Sequence, residues 1–260
     1  MTHPAYLEQG EGDTAVFLLH GVGGGKEAWA HNQPVLASQG FRTVAWDMPG
    51  YGASPALASC SNAALAGALK NLIDHIGATR NVLLGHSMGG MIAQELAALH
   101  PALVHGLILY STSPAFGKSD GTWQQQFLQS RFAPLDQGLG MAGLAGQLVP
   151  TMFAPDAEPA RIAEATALMA RVPAESYRAA LSAIVSFNRL AALGDIAVPT
   201  LCLAGELDLN APPAVVEKMA GRIPAAAYAC LPQVGHIANL EQPALFNQAV
   251  LTFLKQHFLP

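Results

Sequence analysis

Short apolar runs, β-branched or closed by turn residues, alternate along the chain with longer stretches whose apolar positions recur every three or four residues. The runs predict strands at Ala15–Leu19, Thr43–Trp46, Val82–Leu84, Leu107–Tyr110, Thr200–Ala204 and Ala226–Leu231. The longer stretches predict helices at Asn62–Ile76, Met88–Leu99, Pro213–Ala220 and Pro243–His257. In the first of these, Leu65, Leu69, Leu72, Ile73 and Ile76 make one buried stripe, with Asn62 as N-cap and Gly77 closing the helix. Strands alternating with helices predict an α/β architecture, a mostly parallel sheet covered on both faces. Between about Ser113 and Asp195 the rhythm changes: prolines punctuate Ala-, Leu-, Met- and Gln-rich stretches and no strand stands out. Residues 113–195 are therefore expected to form an inserted helical cap, with 1–112 and 196–260 as the core.

Composition narrows the partners more than the fold. The 260 residues are 51% hydrophobic and 12% charged, the balance of a globule with a sizeable core. A net charge of −5 and the lack of any Lys/Arg run argue against nucleic acid or an anionic membrane surface as partner. Cys60, Cys202 and Cys230 have neither disulfide-framework nor zinc-ligand spacing and read as small apolar residues of a reducing compartment. The N-terminus lacks the basic-then-apolar order of a signal peptide, and no run reaches the roughly 18 residues of a membrane span. The expected location is the cytoplasm.

Chemistry enters at FLLHGVGGGKEAW, from Phe17 to Trp29, where a strand gives way to His-Gly and three glycines. Glycines after a strand let backbone amides approach negative charge. A phosphate-binding P-loop fails, because His20 stands where its first glycine belongs and Glu27 where its hydroxyl belongs; a dinucleotide fingerprint starting at Gly21 fails at Lys26. The second motif is Gly85-His86-Ser87-Met88-Gly89, a G-x-S-x-G. Chance alone yields such a motif in about one chain in ten of this composition. Its context is sharper: an apolar strand runs in and an Ala/Leu helix runs out, the strand–turn–helix of a nucleophile elbow.

A serine nucleophile needs a base, and the base an orienting acid. After Thr200–Ala204 comes Gly205-Glu206-Leu207-Asp208, and after Ala226–Leu231 comes Pro232-Gln233-Val234-Gly235-His236. Both stretches sit at carboxyl ends of predicted strands, in the order serine, acid, histidine. Asp208 is preferred over Glu206 because it lies farther past the strand end, within reach of a neighbouring loop. Other histidines read as structural: His3 and His257 terminal, His75 and His100 closing helices, His31 and His105 superficial, His86 a spacer.

LLHG, DMPGYGAS (Asp47–Ser54), GHSMGG (Gly85–Gly90), AGELD (Ala204–Asp208) and VGHIANLEQP (Val234–Pro243) together resemble the α/β-hydrolases across almost the whole chain. The resemblance implies the α/β-hydrolase fold, no metal and no organic cofactor, and a Ser87–His236–Asp208 triad. It also implies an oxyanion hole of the Val22 and Met88 backbone N–H groups, with His20 shaping the loop. Serine at the elbow argues against the branches that carry Asp there. Cap length and AIVSFNRLAAL (Ala183–Leu193) look similar to the 3-oxoadipate enol-lactonase and small-carboxylesterase branch, which implies a small ester or lactone as substrate. C–C hydrolysis of a ring-fission diketone by the same triad, and a non-catalytic ligand-binding role, stay open. Phe116, Trp123, Phe127, Phe132, Met152 and Phe153 are candidates to wall an apolar pocket, or merely to pack the cap on the core. Arg131 and Arg189 are the cap cations that could grip a substrate carboxylate, surface roles being their alternative. Oligomeric state is not readable.

Overall fold

A computed structural model describes residues 3–117 and 121–259. In chain order it has β1 Tyr6–Gln9, β2 Thr14–Leu19, α1 Gln33–Ala37, β3 Arg42–Trp46, α2 Asn62–Ile76, β4 Arg80–His86, α3 Met88–Leu99 and β5 Gly106–Tyr110. Four helices follow before the sheet resumes: α4 Thr122–Asp136, α5 Gly140–Leu148, α6 Pro159–Ala170 and α7 Ala174–Val185. The chain closes with β6 Thr200–Gly205, α8 Pro213–Ala220, β7 Ala227–Leu231, α9 Ala238–Glu241 and α10 Pro243–Phe258.

Among the described residues the strands form one sheet in the order β1-β3-β2-β4-β5-β6-β7, antiparallel only at β1–β3. Every side chain of β2, β5 and β6 is buried, as expected of parallel strands covered on both faces. The register pairs Gly85 with Leu109 and His86 with Tyr110, so β4 and β5 end side by side. β6 and β7 end nearby, with Gly205 opposite Leu231. Crossovers of one hand then deliver the loops after β2, β4, β6 and β7 to the same rim of the sheet.

All six predicted strands form, most extended by a residue or two, and the four predicted helices form with bounds within one residue. β1 was not predicted. Its YLEQ is half-buried only at Tyr6 and exposed elsewhere, so it carries no apolar run and takes its conformation from pairing with β3. The predicted cap of α2 needs correction. Ser61, not Asn62, caps the helix, its Oγ accepting from the Ala64 N–H at 3.2 Å. Asn62 is the first helical residue, and its amide donates to the Ala183 carbonyl at 2.9 Å, tying α2 to α7. Gly77 ends the helix as expected, at φ 63°.

Candidate active site

Ser87 occupies the single position between β4 and α3, at φ 52° and ψ −114°. A non-glycine residue there is strained by about 1–3 kcal/mol, which the surroundings must offset. They do so through hydrogen bonds: the Ser87 N–H donates to the Tyr110 carbonyl at 2.9 Å, and Thr112 Oγ1 donates to the Ser87 carbonyl at 2.7 Å. The flanking glycines are a steric requirement. A Cβ on Gly85 would lie 2.4 Å from the Gly89 carbonyl oxygen, and one on Gly89 would lie 2.1 Å from that of Leu19. Strand and helix can meet this closely only without those side chains.

The loop after β2 lies against the elbow: a Cβ on Gly21 would stand 3.3 Å from Ser87 Cβ. His20 shapes this loop, its Nδ1–H donating to the Gly21 carbonyl at 2.8 Å while Nε2 accepts from the Met48 N–H at 3.0 Å. With both ring nitrogens engaged and burial lowering its pKa, His20 stays neutral. Tyr51 donates to the Val22 carbonyl at 3.0 Å. Farther along, the buried Asp47 carboxylate accepts from the Lys26 and Ala53 N–H groups, both at 3.1 Å, and pairs with the Lys26 ammonium. Val22, so held, lines the cavity above Ser87 and its N–H is unused by any described residue. Met88, fully buried, is the first residue of α3, where an amide has no helical carbonyl to bond. Val22 thus lies on the loop against the elbow and Met88 directly follows Ser87 in the chain.

Asp208 and His236, on the loops after β6 and β7, come together with His236 Nδ1–H donating to Asp208 Oδ2 at 2.8 Å. The other Asp208 oxygen accepts from the Asn210 N–H at 2.8 Å and the Ala211 N–H at 2.9 Å. Burial would raise the carboxyl's pKa, but facing His236 and these donors bring it below the ordinary value. Glu206, the rejected alternative, instead accepts from Gln233 on the exposed surface. With Nδ1 committed to Asp208, His236 Nε2 makes no hydrogen bond to any described residue, and the ring lines the same cavity as Ser87.

The backbone of His236 is fixed from three directions. Its N–H donates to the Met152 carbonyl at 2.7 Å, while its carbonyl accepts from Tyr110 Oη–H at 3.0 Å and from His86 Nε2–H at 2.9 Å. His86 is thus more than a spacer. Burial and the neighbouring His236 hold its pKa at about 3, so it remains a neutral donor. Glu241 completes the brace, accepting from Gly235 N–H at 2.8 Å and from Ala154 N–H at 2.9 Å.

The cavity over Ser87 has a volume of about 70 Å³. Its cap-side wall is Val149, Met152, Ala165, Leu168, Met169 and Tyr177. Of the six apolar residues proposed from sequence, Met152 alone lines it; Phe116, Trp123, Phe127, Phe132 and Phe153 do not, nor do Arg131 and Arg189. Trp123, Phe127 and Phe116 pack against one another, with centroids 4.9–5.6 Å apart, and Trp123 is 40% exposed. Phe153 is buried in the core cluster. Arg131 lies over the Phe127 ring, 5.2 Å from its centroid, and Arg189 forks onto Glu95 at 2.6 and 2.7 Å. Packing has claimed the rings, and partners have claimed the cations. The residues missed, Ala165, Leu168 and Met169, form a three-and-four-spaced stripe on α6 that in sequence is indistinguishable from a core face. No cluster of metal-ligating side chains occurs among the described residues.

Residues 14–243 match the family model described as the alpha/beta hydrolase fold. The chain belongs to the α/β-hydrolase family. Among curated members of that family, RutD of Variovorax paradoxus strain S110, a proposed carbamate hydrolase, is 31% identical over 95% of this chain and 93% of its own. Two solved α/β-hydrolase-like structures are near in shape. A thermophilic esterase from Thermogutta terrifontis superposes with TM-score 0.87 at 27% identity, covering 97% of this chain and 93% of that one. The enol-lactonase from Burkholderia xenovorans LB400 gives 0.86 at 28% identity, with 96% of each chain covered.

Proposed function

We propose that this α/β-hydrolase cleaves a small carboxylic ester or lactone through an acyl-enzyme on Ser87, with His236 as base, Asp208 as its orienting acid, and the Val22 and Met88 N–H groups as oxyanion donors. The observation that carries the reading is the His236 Nδ1–Asp208 Oδ2 hydrogen bond of 2.8 Å on the rim of the cavity that Ser87 enters from its strained elbow. His236 Nε2 takes the Ser87 proton as Oγ attacks the carbonyl. Asp208, its charged form stabilised, holds the ring and the positive charge it acquires. The carbonyl oxygen turns negative between two fixed amides, each such donor being worth about 3 kcal/mol in the transition state. His236 returns its proton to the leaving alkoxide, then activates water to release the acid.

The relatives named as an esterase and an enol-lactonase support ester bonds as the target. A cavity of about 70 Å³ walled mainly by apolar side chains supports a small, largely apolar acyl or ring substrate. Free thiols at Cys60, Cys202 and Cys230 support a reducing, cytoplasmic setting. Among the described residues no helix is long and apolar enough to cross a membrane.

Ser87→Ala is the test. Hydrolysis of p-nitrophenyl acetate and butyrate is expected to fall by about 10³-fold or more with the melting temperature unchanged or raised, since alanine removes only the hydroxyl. Turnover surviving in the variant would refute the mechanism.

A further inference from the structure

Tyr177 is the polar member of the cap-side wall. It sits in the first turn of α7, is 2% exposed, and lines the cavity that also holds Ser87 and His236. Its hydroxyl makes no hydrogen bond to any described residue. That is unusual among the tyrosines buried here: Tyr51 donates to the Val22 carbonyl and Tyr110 to that of His236. A hydroxyl that the protein leaves unpaired in the wall of a binding cavity is available to what binds there.

The surroundings restrict what that can be. Among the described residues no Lys, Arg, Asp or Glu lines the cavity, and two of its three histidines, His20 and His86, are held neutral by burial. Arg131 influences the phenol from outside the lining. A substrate carboxylate would therefore be buried here without a countercharge. A neutral oxygen would find a donor, because burial lifts the Tyr177 pKa to about 12 and keeps the phenol protonated.

We propose that the Tyr177 hydroxyl is the substrate-reading group of the cap, donating a hydrogen bond to a second, uncharged acceptor oxygen of an ester or lactone whose scissile carbonyl sits at Ser87. The assignment rests on the serine-hydrolase reading above. It makes the preferred substrates neutral esters with an additional keto, ether or ester oxygen, and it disfavours carboxylated ones.

The experiment compares near-isosteric ester pairs in the wild type and in Tyr177→Phe. Methyl acetoacetate against methyl butyrate places the extra oxygen on the acyl side, and 2-methoxyethyl acetate against butyl acetate places it on the alcohol side. Within each enzyme the ratio of kcat/KM values is taken, so that intrinsic ester reactivity cancels between enzymes. In at least one pair Tyr177→Phe is expected to reduce the ratio about five- to tenfold. Its melting temperature should hold or rise, because the lost hydroxyl had no protein partner. Wild type should also prefer dimethyl succinate to monomethyl succinate by about a hundredfold. Unchanged ratios in both pairs, a melting temperature lowered by more than about 3 °C, or a preference for the monoacid would each overturn the assignment. Ser87→Ala, assayed alongside, separates the failures. If it retains activity, the serine-hydrolase reading falls; if it is inactive while Tyr177→Phe leaves the ratios untouched, only the role of Tyr177 falls.

Discussion

The loop carrying His236 and the helix α4, one after β7 and one between β5 and β6, are built on opposite terms. Around His236 nearly every polar group has an assigned partner: Met152, Tyr110 and His86 fix its backbone, Asp208 fixes its ring, and Glu241 fixes the residue before it. α4 contains no fully buried residue, and its Trp123, Phe127 and Arg131 contact one another and Phe116. Position is specified where atoms must meet to within a few tenths of an ångström. Where an element only has to cover, loose apolar contact suffices.

The sharpest way to break this contrast is Glu241→Ala, which strips the acceptor from two buried amides, those of Gly235 and Ala154. The expected cost is about 2–4 kcal/mol of stability, together with a roughly ten- to hundredfold loss of kcat and a smaller change in KM. Thermal melts and steady-state kinetics read both. Loss of stability with kcat intact would mean that the brace serves the fold and not the placement of His236.

A smaller effect is expected from His86→Gln, which keeps an amide donor near the His236 carbonyl but removes a titrating ring. An unfolded histidine takes its proton near pH 6.5, whereas folded His86 resists until about 3. Acid therefore favours the unfolded chain. The contribution of His86 is complete above pH 6.5 and drains away as pH falls toward 3. The melting temperature of the variant should decline less steeply than that of the wild type between pH 6 and 4; parallel curves would show that His86 does not govern that slope. Smallest of all, Arg131→Ala should change kcat/KM by less than about twofold for neutral and carboxylated esters alike. A selective loss with the carboxylated ester would return Arg131 to the site.

The same contrast governs what could be read in advance. The elbow, the loop after His20 and the stretches bearing Asp208 and His236 announce themselves because each couples a strand end to residue types with few substitutes. Glycine at 85 and 89 is dictated by carbonyl oxygens that leave no space for a Cβ. The cap gave no such signal. Which face of α6 or α7 turns inward depends on contacts far away in sequence, and Leu168 or Tyr177 carries no local mark of lining a cavity. Trp123 and Arg189 were chosen by chemical type, and chemical type alone does not say whether Phe116 or Glu95 has already engaged them. Asn62 and Ser61 are both good N-cap residues, and the choice between them turned on a carbonyl of α7 that captured the asparagine.

The hydrogen bond from the His236 amide to the Met152 carbonyl has a consequence for inheritance and for engineering. A cap is commonly imagined as a module, exchangeable over a constant core. Here the short turn Val149–Met152 supplies both cavity wall and an anchor for the neighbouring core loop. A transplanted cap that lacks a carbonyl at that place would alter the shape of the cavity and also loosen His236. Lineages that diversify this pocket are thereby free to vary α4 widely, while the backbone of residues 149–154 must travel with the core.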